Sequence, residues 1–188
     1  MNLHYLNRLV LLISFLIINA SLTHSQINYQ IIDKTVHFGY KKVLERKINA
    51  IIIHSTFNNS GGEKYDIDLV IKQFSQYNVS SHYVIGRNGE IYRLVKDNHI
   101  AFHAGKSQLP NGQTNLNSTT IGIELITSFD EAPTELQIQA LVYLVYKIKD
   151  SHKIEFVLRH SDVAPGRKTD PWNMNWEDFL DRLKTKDK

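Results

Sequence analysis

The chain has no cysteine anywhere in its 188 residues, only four prolines and two tryptophans, and almost no charge imbalance, with 22 Lys and Arg against 19 Asp and Glu. Each shortage removes a class of protein. Without cysteine there can be no disulfide framework, no thiolate-bound zinc, no iron–sulfur cluster, no thiol nucleophile and no lipid-acylated N-terminus. A metal would have to sit on His, Asp or Glu. A formal charge of +3 is too small and too dispersed for a nucleic-acid footprint, so no nucleic-acid partner is expected. The hydrophobic fraction of 42% and charged fraction of 22% are those of a folded chain, long enough for one domain with a real core.

Long apolar runs are also missing, except at the start. Met1 to Arg8 carries one positive charge and no acid, and Leu9 to Ala20 is apolar over signal-peptide length, with small residues at Ala20, Ser21, Thr23 and Ser25. That order is the signature of a secretory leader, and the run falls short of a membrane span. Residues 1–25 are therefore expected to be a signal peptide, 26–47 an N-terminal extension, and 48–188 the main folded domain. Cleavage after Ser25 removes Arg8 and no acid and leaves 21 basic and 19 acidic residues. The expected product is an exported, periplasmic or secreted monomer with no stable membrane anchor.

After residue 26 the pattern alternates between strand-like and helix-like segments, without internal repeats, and predicts an α/β fold. Ala50-Ile-Ile-Ile53 is a β-branched run that reads as a buried strand ending at His54. Ile67, Val70, Ile71 and Phe74 behind Asp66 predict an amphipathic helix. Segments 82–85 and 90–95 flank Asn88-Gly89, whose positive φ angles would make a tight hairpin. Residues 121–126 form another strand; Thr134 and Gln137 form a capping box before a helix reaching about Asp150. Residues 156–158 read as a strand delivering His160, and Trp176, Phe179, Leu180 and Leu183 as the stripe of a closing helix.

Among the seven histidines after residue 25, His54 and His160 stand out, because each follows a short apolar strand. Residues at the ends of neighbouring strands converge at one sheet edge, where α/β proteins place their sites. The segment from Arg159 to Pro171 is a loop by its Pro165-Gly166 and Asp170-Pro171 signals, yet holds one His, two Asp, two Arg and one Lys. His54, His160 and Asp170 would supply a zinc ion with two imidazoles and a carboxylate, leaving the fourth position open. Strand-end histidines that merely hydrogen-bond are the alternative, and no short zinc motif is present. Glu124 interrupts an apolar strand; it either faces solvent or an arginine, or serves as a general base. Lys168, two residues before Asp170, falls on the same side of an extended segment and could stabilise an oxyanion, or be an ordinary solvated lysine.

Taken in order, these pieces resemble the zinc-dependent N-acetylmuramoyl-L-alanine amidases of the type 2 class, whose fold is shared with peptidoglycan recognition proteins and phage amidases. The resemblance rests on Ile51-Ile-Ile-His54-Ser-Thr56, on Val79 to Ile85 with Asn88 to Tyr92, on Ala101-Phe-His-Ala-Gly105, on Asn117 to Glu124, and above all on His160 to Pro171. It spans about residues 48–183. It implies a single domain with a central mixed β-sheet flanked by helices. One Zn2+ would be held by His54, His160 and Asp170, with Glu124 and Lys168 catalytic and His103 a substrate-cleft residue. His82 is read as structural. The implied reaction is hydrolysis of the amide between N-acetylmuramic acid and L-alanine in peptidoglycan or muropeptides. A non-catalytic peptidoglycan-binding module and a zinc peptidase acting on stem peptides are the alternatives. Asp at the third ligand position points to the bacterial cell-wall branch, and Ser81 stands where phage enzymes carry a catalytic tyrosine. Phe102 replaces a usual Trp. Trp172 stands where the family usually has Gly, and Asn173 to Trp176 replace a typical Phe-Pro-Trp, so the cleft edge is where this chain departs from its resemblance.

Overall fold

The computed structural model describes residues 29–185; the leader expected at 1–25 lies outside them. Among the described residues, no helix is long and apolar enough to cross a membrane.

Two seven-residue strands organise the molecule. β-Branched Ala50–Thr56 and Thr120–Ile126 are buried at every position and pair in parallel. In chain order the elements are β1 (Ile31–Asp33), β2 (Tyr40–Lys41), β3 (Ala50–Thr56), α1 (Ile67–Gln76), β4 (Tyr83–Ile85), β5 (Ile91–Arg93), β6 (Ile100–Ala101), β7 (Thr120–Ile126), α2 (Glu135–Ser151), β8 (Phe156–Arg159), α3 (His160–Val163) and α4 (Trp176–Thr185). A 3-10 turn, Leu116–Ser118, precedes β7. Six strands form one mixed sheet in the order β1-β5-β4-β7-β3-β8, in which only the β4–β5 pair is antiparallel; β2 and β6 make a separate antiparallel pair. This is the α/β architecture with a mixed central sheet and flanking helices that the sequence leads one to expect. β1 and β2 lie inside the segment read as an extension, and β1 is hydrogen-bonded to the sheet edge.

The two-residue period of a strand divides the sheet faces. Ile51, Ile53, Ile121, Ile123 and Leu125 point to one side and pack with Leu141, Leu144, Val145 and Ile148 of α2 and Phe179 and Leu183 of α4. Ile52 points to the other, with Leu109, Leu116 and Val163, while Val84 and Ile126 on that same side meet Val70 and Phe74 of α1. Between those two smaller clusters the second face remains open, and the polar residues of β3 and β7 emerge there.

Helix α2 starts where the sequence places it. Thr134 accepts from the Gln137 N–H, and Gln137 Oε1 accepts from the Thr134 N–H, completing the capping box. The same buried Gln137 amide donates to the carbonyls of Ile85 and Ile126, each at 3.0 Å, so the cap also ties the helix to the ends of β4 and β7. The hairpin between β4 and β5 differs in detail from expectation. Only Gly89 has positive φ, at 85°, while Asn88 does not, and a five-residue loop joins the paired Ile85 and Ile91. The Leu136 carbonyl would lie 2.9 Å from a Cβ at Gly89, so glycine is required there for space as well as conformation.

Candidate metal and catalytic site

His54 and Glu124 are register partners on adjacent parallel strands, which places both side chains on the open face. β8 runs parallel to β3 on its other side and ends in α3, whose first residue is His160. The loop after α3 folds back so that the Ser161 N–H donates to the Asp170 carbonyl at 2.9 Å, returning Asp170 to the same spot. Gly166, at φ 74°, makes the reversal possible.

Three ligand-type atoms then face one another. His54 Nδ1 lies 2.9 Å from His160 Nδ1, His160 Nδ1 3.0 Å from Asp170 Oδ2, and His54 Nδ1 3.4 Å from the same oxygen. A tetrahedral metal with bonds of 2.0–2.1 Å separates its ligands by about 3.3 Å, so these spacings fit one ion. All three residues are buried, and they form a group able to hold a metal. Burial of a carboxylate between two imidazoles is costly unless a cation or proton sits among them.

The electrostatics agree with that arrangement. Burial pushes His54 down to about 4, reinforced by His160 and opposed by Asp170, leaving a neutral imidazole. For Asp170, burial acts to raise the carboxyl, but the His160 and His54 imidazoles beside it outweigh that effect and hold the group well below the usual carboxylate range. Glu124 is 9% exposed. Burial, with the charge of Asp170 added, raises it to about 8, while Lys168 pulls the other way. Its carboxyl makes no side-chain hydrogen bond and pairs with no arginine among the described residues, so the reading of Glu124 as a solvent-facing or arginine-paired residue does not hold. A buried carboxyl with a raised pKa beside a cluster of ligands is suited to moving protons near neutral pH.

A pocket of about 250 Å3 opens over these groups, lined also by Ser55, Phe74, Val79, Phe102, His103, Lys168 and Trp172. Lys168 is exposed at its rim, on the same loop as Asp170. His103 lines the pocket, and both its ring nitrogens have protein partners: Nδ1 with His54 Nε2 at 3.0 Å and Nε2 with Thr120 Oγ1 at 3.2 Å. His82 is structural, as read from sequence; it is fully buried and its Nδ1 accepts from the Gly122 N–H at 3.0 Å. Ser81 is buried beside Gly122 and does not line the pocket.

Sequence reasoning singles out Trp172 but not its company. Its ring lies 4.2 Å from that of Phe129 and 6.0 Å from that of Phe57, and Phe57 and Phe129 meet edge to face at 5.4 Å. Asn173, in the left-handed region at φ 52°, donates to the Phe129 carbonyl at 2.7 Å and holds the two loops together. The result is an aromatic ledge at one end of the pocket, with Phe129 64% exposed. Phe57 follows β3 directly and Phe129 lies three residues past the end of β7, positions at the strand ends that could have signalled them.

Comparison with known proteins gives a consistent result. The family model described as N-acetylmuramoyl-L-alanine amidase matches residues 44–173. The 1,6-anhydro-N-acetylmuramyl-L-alanine amidase AmpD of Haemophilus influenzae is 35% identical over 113 residues, covering 58% of this chain and 61% of that protein. The N-acetylmuramoyl-L-alanine amidase AmiD of Escherichia coli is 37% identical over 145 residues, covering 66% of this chain and 49% of that protein. The chain thus spans about half to three-fifths of the length of these curated relatives. Among solved structures, a crystal structure of an AmpD derivative aligns with a TM-score of 0.68 at 24% identity, covering 81% of this chain and 94% of that one, a likeness of fold. Escherichia coli AmiD in complex with the substrate anhydro-N-acetylmuramic acid-L-Ala-D-gamma-Glu-L-Lys aligns with a TM-score of 0.63 at 27% identity, covering 77% and 65%.

Proposed function

The chain belongs to the N-acetylmuramoyl-L-alanine amidase family, and from that premise we propose that it hydrolyses the amide joining N-acetylmuramic acid to L-alanine in peptidoglycan or muropeptides. The observation that carries this reading is the convergence of the His54–His160–Asp170 group and the buried Glu124 on the floor of one pocket. The names of the relatives specify the same bond.

The donor set would suit one zinc ion, since two imidazole nitrogens and one carboxylate oxygen would leave the fourth tetrahedral position free. His54 and His160 would bind through Nδ1 and Asp170 through Oδ2. When bound, zinc supplies Lewis acidity for the substrate carbonyl and makes water a usable nucleophile near neutral pH. The protein's own groups do the rest. Glu124 takes a proton from the attacking water as its oxygen bonds to the carbonyl carbon. The same carboxyl gives that proton to the nitrogen as the C–N bond breaks, releasing a carboxylic acid and an amine. Lys168 meets the negative charge that develops on the carbonyl oxygen from the pocket rim. Phe74, Val79 and Phe102 keep one wall apolar and limit the water that reaches the reacting atoms.

We further propose that residues 1–25 are a cleaved leader and that the enzyme acts outside the cytoplasm, periplasmic or secreted; an N-terminal sequence beginning at Gln26 in the exported product is the expected result. The activity is tested by digesting purified cell wall and soluble muropeptides and reading the products by mass spectrometry. Stem peptides beginning with L-alanine are expected from the wild type, and none from His160→Ala or from chelator-stripped protein. Cuts only within the stem peptide would make the enzyme a peptidase, and binding without any cut would make it a recognition module.

A further inference from the structure

The two imidazoles of the metal group are held from behind by consecutive residues of one turn. His103 meets His54, and the carbonyl of Ala104 meets His160 Nε2 at 3.3 Å. Following the hydrogens outward assigns every role in this network. The Leu116 carbonyl can only accept, so the Thr120 hydroxyl, 2.8 Å away, gives it its proton. Thr120 Oγ1 must then accept from His103, which places a hydrogen on His103 Nε2. With its hydrogen on Nε2, His103 faces His54 Nε2 through Nδ1 at 3.0 Å, and in the neutral ring that atom carries the lone pair. That lone pair accepts from His54 Nε2–H, and His54 Nδ1 is left bare toward His160 and Asp170. On the other side the Ala104 carbonyl can only accept, so His160 also carries its hydrogen on Nε2 and presents a bare Nδ1.

The turn itself is fastened. Asn117 Oδ1 accepts from both the His103 and the Ala104 N–H, at 3.1 and 2.8 Å, and Arg167 donates to the Ala104 carbonyl at 2.8 Å. The His103 ring lies against β7: a Cβ placed at Gly122 would fall 2.5 Å from its Cγ. Gly122 is therefore a glycine because the ring occupies that space.

We propose that the His103–Ala104 turn, clamped by Asn117, is the device that orients both metal-binding imidazoles and holds each with its Nδ1 lone pair toward the ion. His103 is on this account a positioning residue acting through His54, in place of the substrate contact suggested by the sequence. The inference rests on the zinc reading above. Outer partners of this kind govern roughly 10- to 100-fold of metal affinity.

The test measures zinc affinity by competition with a chromogenic chelator, alongside long-range 1H–15N spectra of the metal-free protein, which report which nitrogen of each imidazole carries hydrogen. In the wild type, His54 and His160 should both appear as Nε2–H. His103→Leu should weaken zinc binding by roughly 10- to 100-fold and let His54, but not His160, populate the other form. His103→Asn restores an acceptor near the Nδ1 position and should recover most of the affinity. Thr120→Val, which keeps the shape and removes only the end of the chain, should show a smaller loss and covers the case in which His103→Leu fails to fold. Wild-type zinc affinity in both His103→Leu and Thr120→Val, with only KM altered, overturns the inference and leaves the proposed function standing. A wild-type chain with no zinc affinity overturns the metal reading and this inference together.

Discussion

Replacing Glu124 by glutamine should make the metal-free protein more stable and the enzyme inactive, and the size of the first effect should depend on pH. Glu124 ionises at about 8 in the folded chain, against 4.5 for an ordinary glutamate, chiefly because it is buried and secondarily because Asp170 is near. Between those two values the folded chain keeps a proton that the unfolded chain releases. Stability therefore falls as the pH rises through that window, by about 1.4 kcal/mol per pH unit. At pH 5 the cost is about 1 kcal/mol, and at pH 7 about 3 kcal/mol. Glutamine has the same shape and cannot ionise, so it escapes this cost. For a chain of this size, 3 kcal/mol corresponds to a Tm gap of roughly 6–12 °C. Scanning calorimetry of wild type and Glu124→Gln from pH 5 to pH 8, with a chelator present because a bound cation would favour the carboxylate, reads the gap directly. The gap should widen steadily with pH and level off above about 8. A gap that is constant across the range, or that narrows, would refute the assignment of a raised, buried carboxyl. The zinc-loaded variant should lose about 100- to 10,000-fold in kcat.

Other substitutions separate roles in the same way. Lys168→Ala should lower kcat by about 100- to 1,000-fold, yet leave the urea midpoint within error, because the side chain is exposed at the rim. Trp172→Gly removes the ring that joins Phe57 and Phe129; steady-state kinetics should show KM raised about tenfold with kcat little changed, the mark of lost uniform binding. Phe179→Ala, at a fully buried position between α4 and the sheet, should cost roughly 3–5 kcal/mol in urea unfolding while the remaining folded fraction keeps its zinc.

Much of the fold and of the site is legible in the amino-acid sequence alone. β-Branched runs announce β3 and β7 because strands buried on both faces need apolar residues at every position. The charged residue inside Ile121 to Ile126 is therefore conspicuous, and Glu124 proves to be buried, with no side-chain partner among the described residues. The capping residues Asp66 and Thr134 start α1 and α2 as their side-chain chemistry requires. What sequence patterns do not carry is contact across long separations in the chain. Nothing local connects His54 to His103, Asn117 to the 103–104 turn, or Phe57 to Trp172, since these meetings depend on how strands order in the sheet. The edge strand β1 also escapes, because three residues with one acid carry too little pattern to identify a strand. His103 stands out only through a resemblance, which gives its place near the pocket and not its partner.

The groups proposed to act on the bond stand on or beside hydrogen-bonded strands, while the aromatic ledge is built from three separate loops that follow β3, β7 and α3. His54 and Glu124 are thus set by strand register, whereas Phe57 and Phe129 are set by loops alone, and only the loop after α3 carries both kinds of residue, Lys168 and Asp170 beside Trp172. Loop exchange at residues 57–64 or 127–133 would reshape the ledge without disturbing the register that pairs His54 with Glu124. Trp172, where the sequence leaves its family's usual pattern, sits instead in the loop that also carries Lys168 and Asp170.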